Sequence, residues 1–554
     1  MPKFDEEKIG RRLLLLRRKE AEESTRLLSE KYKLPYIDLS VFPIEIDAIK
    51  IVPEERARPA ELAVFQAIGP RLKIAVRNPD KDETRAALKT LEAQRYAYEL
   101  YLASRPSLER AWEIYRRVPE KHAAGAGTIA LSTEKLAAIG RGIASLKDAA
   151  SQIEQRFFAN TSEALEAILA GALATEASDV HVEPQENAVR VRFRLDGTLH
   201  DVSSLPPKLY VLLLSRIKLI SELKLNVHDR AQDGRFSIRV DKEAIEVRTS
   251  ILPGPNGENI VLRILNPRSI ELSLIDLGLS PWIASAVEKE LKKPNGLILT
   301  TGPTGSGKTT TLYAFLRAIH GPGIKIITIE DPIEYHLTGI EQTQVDPEKG
   351  YDFANGLRSI VRQDPDVILV GEIRDLETAE TAMHAALTGH LVFSTLHTND
   401  AAGTIPRLID LGVNPSIIAP AINAAMAQRL VRKLCPACRQ PLKLSGAERT
   451  GIKRELALFP KGIPIPEEKN WTLFRAAADG CQSCSGIGYK GRIGVYEIIL
   501  MDGRMERLIL ENAAESEIKK EAAGQGQITM RQDGLLKTLA GITDLAELER
   551  VVGQ

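Results

Sequence analysis

The sequence predicts an α/β fold of several domains, built around a parallel β-sheet with helices on its faces. Between residues 295 and 400, four short apolar segments alternate with segments of helical pattern, which is the order of elements in a parallel sheet. The first of these segments runs into a glycine-rich loop and then into a helical pattern at 295–319. At about 150 residues per domain, the 554 residues also predict three or four domains.

The composition is that of a folded protein, with 44% hydrophobic and 27% charged residues. Lys and Arg together number 74, as do Asp and Glu, so no net charge attracts the chain to nucleic acid. No apolar run approaches the roughly 20 residues that span a bilayer, and the first residues lack the apolar core and cleavage site of a secretory signal. We therefore expect a cytoplasmic protein without direct nucleic-acid contacts.

The first apolar segment leads into a phosphate-binding loop. Leu297 to Thr301 has the pattern of a buried strand, and the loop after it matches GxxxxGK[ST] between a strand and a helix. The predicted nucleotide contacts are Gly302, Pro303, Thr304, Gly305, Ser306, Gly307, Lys308, Thr309 and Thr310. The glycines let backbone N–H groups converge on the β-phosphate, Lys308 neutralises β- and γ-oxygens, and the Thr309 hydroxyl binds Mg²⁺. The sequence thus predicts a site for ATP and Mg²⁺.

The second segment, at 324–335, ends in three carboxylates, Glu330, Asp331 and Glu334. Pro332 halts the strand, so these acids lie at its carboxyl end, where ligands bind in open α/β sheets. The alternative, solvated surface acids, is disfavoured because they directly follow a buried strand. Glu330 and Asp331 are assigned to the nucleotide site, and Glu334 is a candidate general base for the attacking water.

The third segment is the apolar run Val367 to Val370, followed by Gly371 and Glu372. It has the pattern of a Walker B strand, with glycine at the position where the acidic Mg²⁺ anchor often lies. Glu372 is then the acid nearest to Mg²⁺ or its water shell, with Asp331 as a second acid. Residue types alone leave the division of labour between Glu334 and Glu372 open.

The fourth segment carries a histidine at each end, His390 before Leu391–Leu396 and His397 after it. Seven residues of extended strand span about 23 Å, whereas zinc–nitrogen bonds are about 2 Å long. The two histidines therefore cannot share one metal ion. A structural role remains open for the pair, and His397 is expected near the γ-phosphate because its strand end joins the other three.

The chain has four cysteines, arranged as two CxxC pairs at Cys435, Cys438, Cys481 and Cys484. Two such pairs can offer four sulfurs to one tetrahedral zinc ion. A redox dithiol and a set of unligated structural thiols are the alternatives; a redox site needs only one CxxC pair. We predict a structural zinc ion, because four thiolates leave no open position for water.

The motifs occur in one order along the chain: "GPTGSGKTTTLY", "TIEDPIEY", "DPDVILVGEIRD", the histidine-flanked strand and the tetracysteine pair. "EASDVHVEPQENAVRVRFRLDG" precedes them and "YKGRIGVYEIILMDG" follows the second cysteine pair. Together, over about residues 155–554, they resemble the secretion ATPases of type II secretion and type IV pilus assembly. The resemblance implies a RecA-like P-loop ATPase core, a preceding α+β domain of PAS-like type and a ring of six subunits.

The resemblance also implies roles for individual residues. Gly302 to Thr309 corresponds to the Walker A loop, Glu334 to the catalytic glutamate, Gly371-Glu372 to an atypical Walker B motif, and His390 with His397 to the histidine box. Phosphate-side arginines of the family correspond to Arg248, Arg263, Arg358 and Arg362. The alternative for each arginine is a surface ion pair, but the planar guanidinium fork suits phosphate.

Composition and resemblance together predict seven segments. They are an N-terminal helical segment (1–30), an α/β docking domain (31–118), a linker with an Ala-Gly run (119–154), the PAS-like domain (155–270), the ATPase domain (271–430), the tetracysteine module (431–490) and a helical C-terminal region (491–554). Leu13 to Leu16 fit a packed or partner-docked helix better than a membrane-surface anchor, because four consecutive leucines point all around a helix. The docking domain resembles its counterpart in the family only loosely. Some relatives bind a cyclic dinucleotide there, but this chain has no convincing repeat of that motif, so partner docking is preferred.

The expected function is that of a homohexameric motor ATPase that assembles a type IV pilus or a type II secretion pseudopilus. Its expected partners are an inner-membrane platform protein and a cytoplasmic or membrane docking protein, which would make it peripheral to the inner membrane. Two alternatives remain: a scaffold that binds nucleotide without hydrolysing it, and a DNA-uptake ATPase. The joint presence of Lys308, Thr309, Glu334 and Glu372 argues against the scaffold, and the neutral charge argues modestly against DNA contact.

Overall fold

The computed structural model describes most of the chain in long continuous ranges. These are 20–39, 51–68, 71–93, 96–117, 142–157, 161–240, 243–266 and 272–553, with short pieces at 42, 44, 46–49, 128–129 and 139–140. The leucines at 13–16 lie outside them, and residues 20–32 are helical. The chain divides into two compact units, Met1–Ala124 and Gly125–Gln554.

The first unit is a small α/β domain with a three-stranded sheet of order β1-β2-β3. Its elements are α1 (Ile46–Ile49), α2 (Glu54–Ala57), β1 (Leu62–Ile68), β2 (Arg71–Val76), α3 (Asp82–Ala93), β3 (Ala97–Leu102) and α4 (Arg105–Arg117). β1 and β2 are antiparallel, and β2 and β3 are parallel. Trp112 of α4 is buried and donates from Nε1 to the Leu62 carbonyl at 3.0 Å, which ties the last helix to the first strand.

The second unit begins with an α+β domain, called domain 2 below, whose seven strands have the order β4-β8-β9-β10-β5-β6-β7. Its elements are β4 (Thr128–Ile129), α5 (Leu146–Phe157), α6 (Thr161–Ala174), β5 (Asp179–Pro184), β6 (Val189–Leu195), β7 (Thr198–Leu205), α7 (Pro207–Ile220), β8 (Gln232–Val240), β9 (Glu243–Gly254) and β10 (Gly257–Leu265). β6 alternates buried and partly exposed residues, as a strand with one covered face should. Helix α5 occupies the end of the stretch 119–154 that was predicted to be a linker, because Ala149 and Ile153 pack into the core of this domain.

The predicted ATPase domain contains the predicted parallel sheet, in the order β13-β12-β14-β15-β11-β16. Its elements are α8 (Pro281–Leu291), β11 (Gly296–Thr301), α9 (Lys308–Ile319), β12 (Ile326–Glu330), β13 (Glu341–Gln344), α10 (Phe353–Val361), β14 (Val367–Val370), α11 (Leu376–Leu387), β15 (Leu391–Leu396), α12 (Thr404–Asp410), α13 (Pro415–Ala421) and β16 (Ile422–Leu434). β11, β12, β14 and β15 are buried along their whole length, since helices cover both faces of a parallel sheet. The predicted α/β class is confirmed.

The sheet is completed by a strand from the C-terminal region. β19 (Tyr489–Leu500) runs antiparallel to β16, so the region predicted to be helical also supplies the edge of the central sheet. Between these two strands lie β17 (Gln440–Pro441), α14 (Gly446–Leu456) and β18 (Phe474–Arg475), and after them come α15 (Gly503–Leu510), α16 (Glu515–Gly524), α17 (Met530–Leu539) and α18 (Leu545–Val552). Within the described ranges, every helix is too short or too polar to cross a bilayer.

Candidate nucleotide site and cysteine cluster

The glycine-rich loop connects the end of β11 to the start of α9, as its strand–loop–helix pattern predicts. Gly302, Gly305 and Gly307 have φ angles of +147°, +80° and +90°, which L side chains rarely adopt. A Cβ atom at Gly302 would lie 2.6 Å from the Gln428 carbonyl oxygen, so this position also needs glycine for close backbone approach. Gly307 is the N-cap of α9 and offers no capping side chain, which leaves the N–H groups of the first turn open to an anion.

Lys308 and its neighbours present donors at this helix terminus. Lys308 Nζ donates to the carbonyls of Gly302 at 2.7 Å and Pro303 at 3.2 Å. Burial lowers the pKa of Lys308, and the negative charge of Glu372 opposes that shift. The Ser306 hydroxyl is buried and has no hydrogen-bond partner within the described ranges, while Thr309 and Thr310 are partly buried in the first turn of α9. This donor set fits a phosphate group and its Mg²⁺ ion.

A buried glutamine, which the sequence reasoning missed, supports the loop from β16. Gln428 Nε2 donates to the Ser306 carbonyl at 2.8 Å, and the residue has no exposed surface. The next residue, Arg429, donates to the Asn399 carbonyl at 3.1 Å, and burial lowers its pKa. In the sequence, Gln428 and Arg429 stand out as two polar residues within the apolar run "INAAMAQRLV". They lie more than 100 residues from the loop, so the sequence did not show that they contact it.

The structure gives different surroundings to the three acids at the end of β12 and in the loop after it. Glu330 is buried, and its carboxylate accepts hydrogen bonds from the Tyr313 hydroxyl, from Thr328 Oγ1 at 2.6 Å and from Gln342 Nε2 at 3.1 Å. Protein donors thus already surround the carboxylate that the sequence assigned to the nucleotide. Asp331 is exposed and lies 3.5 Å from Arg374 Nη1.

Glu372 follows β14 and lies at the same end of the sheet as the glycine-rich loop. Its side chain is 18% exposed, pairs with Arg374 Nη2, and has one carboxylate oxygen 3.5 Å from His397 Nε2. β15 lies between β11 and β14, so His397 at its carboxyl end stands between the loop and Glu372. The structure therefore brings Lys308, Glu372 and His397 to one edge. Arg374, which the sequence reasoning missed, bridges Glu372 and Asp331 there.

His390 lies at the opposite end of β15. Its Nδ1 atom is 2.9 Å from the carbonyl oxygen of Ala385 in the last turn of α11. His390 therefore does not lie near the glycine-rich loop. Its contact with the Ala385 carbonyl stabilises the turn between α11 and β15.

Arg248 reaches from β9 of domain 2 to the acidic loop of the ATPase domain. Its Nη1 atom donates to Glu334 Oε2 at 3.0 Å, and its Nη2 atom donates to the Ile333 carbonyl at 2.5 Å. Both side chains are partly exposed, with 23% of Arg248 and 33% of Glu334 accessible. This contact joins two domains at an acid close to the carboxyl edge of the sheet.

The other three candidate arginines have partners away from the glycine-rich loop. Arg263 Nε donates to Asp179 Oδ1 at 3.0 Å inside the sheet of domain 2. On α10, Arg358 pairs with Glu377, and Arg362 donates to the Arg358 carbonyl at 3.0 Å. Within one subunit, Arg263 and Arg358 thus make the ion pairs that the alternative to a phosphate-binding role predicts, whereas Arg362 donates hydrogen bonds to its own helix.

The four cysteines converge as predicted, with all four sulfurs within 4.8 Å of one another. The pairs Cys435–Cys481 and Cys484–Cys481 are 3.8 Å apart, and Cys438–Cys484 is 3.7 Å. Sulfurs at about 2.3 Å from a tetrahedral zinc ion would be separated by about 3.8 Å. Burial opposes ionisation of Cys484, but N–H groups of Cys481 and Gly488 donate to its sulfur and lower its pKa to about 7. The cluster fits a structural Zn²⁺ ion.

Comparison with known proteins decides the family. A family model described as "Type II/IV secretion system protein" matches residues 154–550. The chain belongs to this family. A second model, described as "MshEN domain", matches residues 32–122. The resemblance predicted from the motifs is confirmed.

Relatives match the chain over most of its length. The type IV pilus assembly ATPase PilB of Myxococcus xanthus is 37% identical over 547 residues, which cover 98% of this chain and 93% of that protein. The type II secretion system protein E of Pseudomonas aeruginosa is 45% identical over 399 residues, 72% of this chain and 77% of its own. The solved ATPase DotB of Yersinia pseudotuberculosis has a TM-score of 0.52 at 23% identity and covers 70% of this chain and 93% of its own, which supports the fold. The chain is an ATPase of the secretion and pilus family, and these relatives support a motor role.

Proposed function

We propose that this chain is a homohexameric motor that hydrolyses ATP to power assembly of a type IV pilus or a type II secretion pseudopilus. It works at an inner-membrane platform protein, with the N-terminal domain docking a cytoplasmic or membrane partner. The protein itself is cytoplasmic and reaches the membrane through these partners. The pilus assembly relative supports the proposal because its similarity extends through the N-terminal domain as well as the ATPase domain.

The observation that carries the motor proposal is the contact between Arg248 of domain 2 and Glu334 of the ATPase domain. Glu334 lies in the loop after β12, at the sheet edge that also carries the glycine-rich loop and Glu372. Domain 2 is hydrogen-bonded to this acid through Arg248. When the loop of Glu334 moves in response to the nucleotide, domain 2 must therefore either move with it or lose these hydrogen bonds. Bonds made by partly exposed groups are weak enough to break in each cycle.

Each residue at the edge has a distinct task in the proposed hydrolysis. The backbone N–H groups of the loop and Lys308 hold the β- and γ-phosphates, and Thr309 and Glu372 hold Mg²⁺ directly or through water. When bound, Mg²⁺ neutralises charge on the transferred phosphoryl group. Glu334 orients and deprotonates the attacking water, and His397 reports the state of the γ-phosphate through Glu372. In the hexamer, Arg358 and Arg362 are free to exchange their surface partners for a neighbouring subunit's phosphate.

Phosphate release under conditions that form hexamers tests the proposal. We compare the wild type with Glu372→Gln and Glu334→Gln, and measure ATP binding by each with a fluorescent analogue. The wild type should turn over, and both variants should bind ATP while losing at least about tenfold in kcat. Equal and negligible release by all three proteins would refute the motor and favour a nucleotide-binding scaffold.

A further inference from the structure

The loop that carries Glu334 is held by a glutamine of the edge strand. Gln342 lies on β13, the edge strand of the central sheet that pairs with β12. Its Oε1 atom accepts from the Leu337 N–H at 2.7 Å, and its Nε2 atom donates to the Tyr335 carbonyl at 2.9 Å. Nε2 also donates to the Glu330 carboxylate at 3.1 Å. One side chain therefore connects Glu330, the residue before the loop 331–337, to Tyr335 and Leu337 at the far end of that loop.

A tyrosine of the P-loop helix holds the same loop from the other side. Tyr313 of α9 is completely buried, and its hydroxyl contacts the Glu330 carboxylate and the backbone of Tyr335. Gln342 and Tyr313 thus share two partners, Glu330 and Tyr335. The helix that begins at the glycine-rich loop is connected through these contacts to the loop that bears Glu334.

We infer that Gln342 is a positioning residue for hydrolysis, which together with Tyr313 holds Glu334 at the position where it meets both the nucleotide and Arg248. The inference rests on the proposed role of Glu334. Glu334 lies between Glu330 and Tyr335, both of which the Gln342 side chain contacts. Without the amide, the Leu337 N–H and the Tyr335 carbonyl lose the hydrogen bonds that Gln342 makes, and the loop can shift. A displacement of about 1 Å at a catalytic group is enough to lower a rate strongly.

The strand offers a matched control. Gln344 is two residues along β13, on the same face. Among the side-chain hydrogen bonds of the described ranges, Gln344 has a single long one, which its Oε1 atom accepts from the Ile333 N–H at 3.4 Å. Gln342→Leu and Gln344→Leu therefore make the same chemical change at the same edge strand. The first removes three contacts to the loop and to Glu330, and the second removes one marginal contact.

The experiment measures kcat, KM and nucleotide affinity of both variants. Gln342→Leu should lower kcat by about ten- to hundredfold, with KM, affinity and the unfolding midpoint close to those of the wild type. Gln344→Leu should stay within about twofold of wild type in kcat. Tyr313→Phe, which keeps the ring in the core, should lower kcat in the same direction. A kcat for Gln342→Leu equal to that of Gln344→Leu would overturn the inference, as would a parallel loss of affinity and stability.

A double substitution separates positioning from general damage. Arg248→Ala should lower kcat in the wild type and in Gln344→Leu, but have little further effect in Gln342→Leu, because the acid that Arg248 binds is already displaced. Independent, multiplying effects in both backgrounds would overturn the inference. If Glu334→Gln is inactive while Gln342→Leu is normal, the inference alone fails. If Glu334→Gln keeps wild-type kcat, both the role of Glu334 and the inference fail.

Discussion

A buried ion pair in the C-terminal helices gives a prediction whose size follows from its contacts. Lys537 Nζ lies 2.5 Å from Asp533 Oδ2 and donates to the Gly494 carbonyl at 2.6 Å. The same carboxylate accepts from the Tyr496 N–H at 2.9 Å and from the Ser280 hydroxyl. Asp533 thus ties α17 to strand β19 and to the residue before α8. Its side chain is completely buried and that of Lys537 is 8% exposed.

The substitution Asp533→Asn removes the charge that balances Lys537 while keeping the shape of the side chain. Breaking one partner of a buried pair costs about 3–5 kcal/mol, because the remaining charge stays buried without a counter-ion. For a cooperative unit of roughly 280 residues, at about 2.1 cal/mol/K of unfolding entropy per residue, that loss corresponds to a decrease of about 5–8 °C in the unfolding midpoint. Calorimetry of the full chain measures it as a shift of the transition that includes the ATPase domain.

The pH dependence of the variant has a definite sign. Burial already lowers the pKa of Lys537, and Asp533 opposes this shift in the wild type. Without Asp533, the pKa of Lys537 in the folded state falls further below its pKa in the unfolded chain. At pH values between these two pKa values, the unfolded state therefore binds more protons than the folded state. The stability of Asp533→Asn should therefore increase as the pH rises toward the ordinary lysine pKa of about 10.4.

Two further variants test the reasoning. Asp533→Asn with Lys537→Met removes the unpaired charge and should recover part of the lost stability. Asp346→Asn breaks the pair between Asp346 and Lys349, whose lysine side chain is 82% exposed, and should leave the midpoint unchanged. The reasoning is refuted if the double variant is no more stable than Asp533→Asn.

Three other predictions concern the site and the cysteine cluster. Arg248→Ala should lower kcat without changing the unfolding midpoint, because a partly exposed pair contributes about 1 kcal/mol or less to stability; an altered midpoint in calorimetry with normal phosphate release would contradict this. His397→Ala should slow hydrolysis with ATP affinity and zinc content unchanged, whereas His390→Ala should leave hydrolysis per folded molecule as in the wild type, since its contact to Ala385 is at the other end of β15; equal rates for the two variants would count against this assignment. Metal analysis should find one zinc ion per chain, and Cys435→Ser or a strong chelator should remove it and expose residues 435–488 to protease while ATP binding persists; a metal-free wild type with a protease-resistant module would contradict the zinc assignment.

Local patterns predicted the elements of the ATPase domain because each of these elements is determined by residues that are close together in the sequence. The glycine-rich loop needs only its glycines and the flanking strand and helix, all within 295–319. The convergence of four cysteines followed from their spacing, since two knuckles suffice for one tetrahedral site. The carboxyl ends of parallel strands meet at one edge, so the strand pattern alone was enough to place Glu372 and His397 at the same edge of the sheet.

Contacts between distant parts of the chain could not be read in this way. Gln342 and Gln428 are uncharged amides inside strands, and neither belongs to a sequence motif from which its hydrogen-bond partner could be predicted. Glu330 belongs to a run of acids, but only the fold shows that Tyr313, Thr328 and Gln342 surround it. The order of strands, with β15 between β11 and β14, depends on crossovers that local periodicity does not contain.

The tetracysteine module is an insertion between β16 and β19, two antiparallel neighbouring strands of the central sheet. It leaves after Leu434 and returns at Tyr489, and these two residues are paired across β16 and β19. A short turn could therefore replace the module without altering the register of the sheet. Such a shortened chain would expose an apolar face of the last helices, because residues of the module cover it. The covering residues are Ile452 and Leu456, and the covered ones are Leu535, Leu539 and Leu548. A shortened form would need polar side chains at those three helix positions to remain free of aggregation.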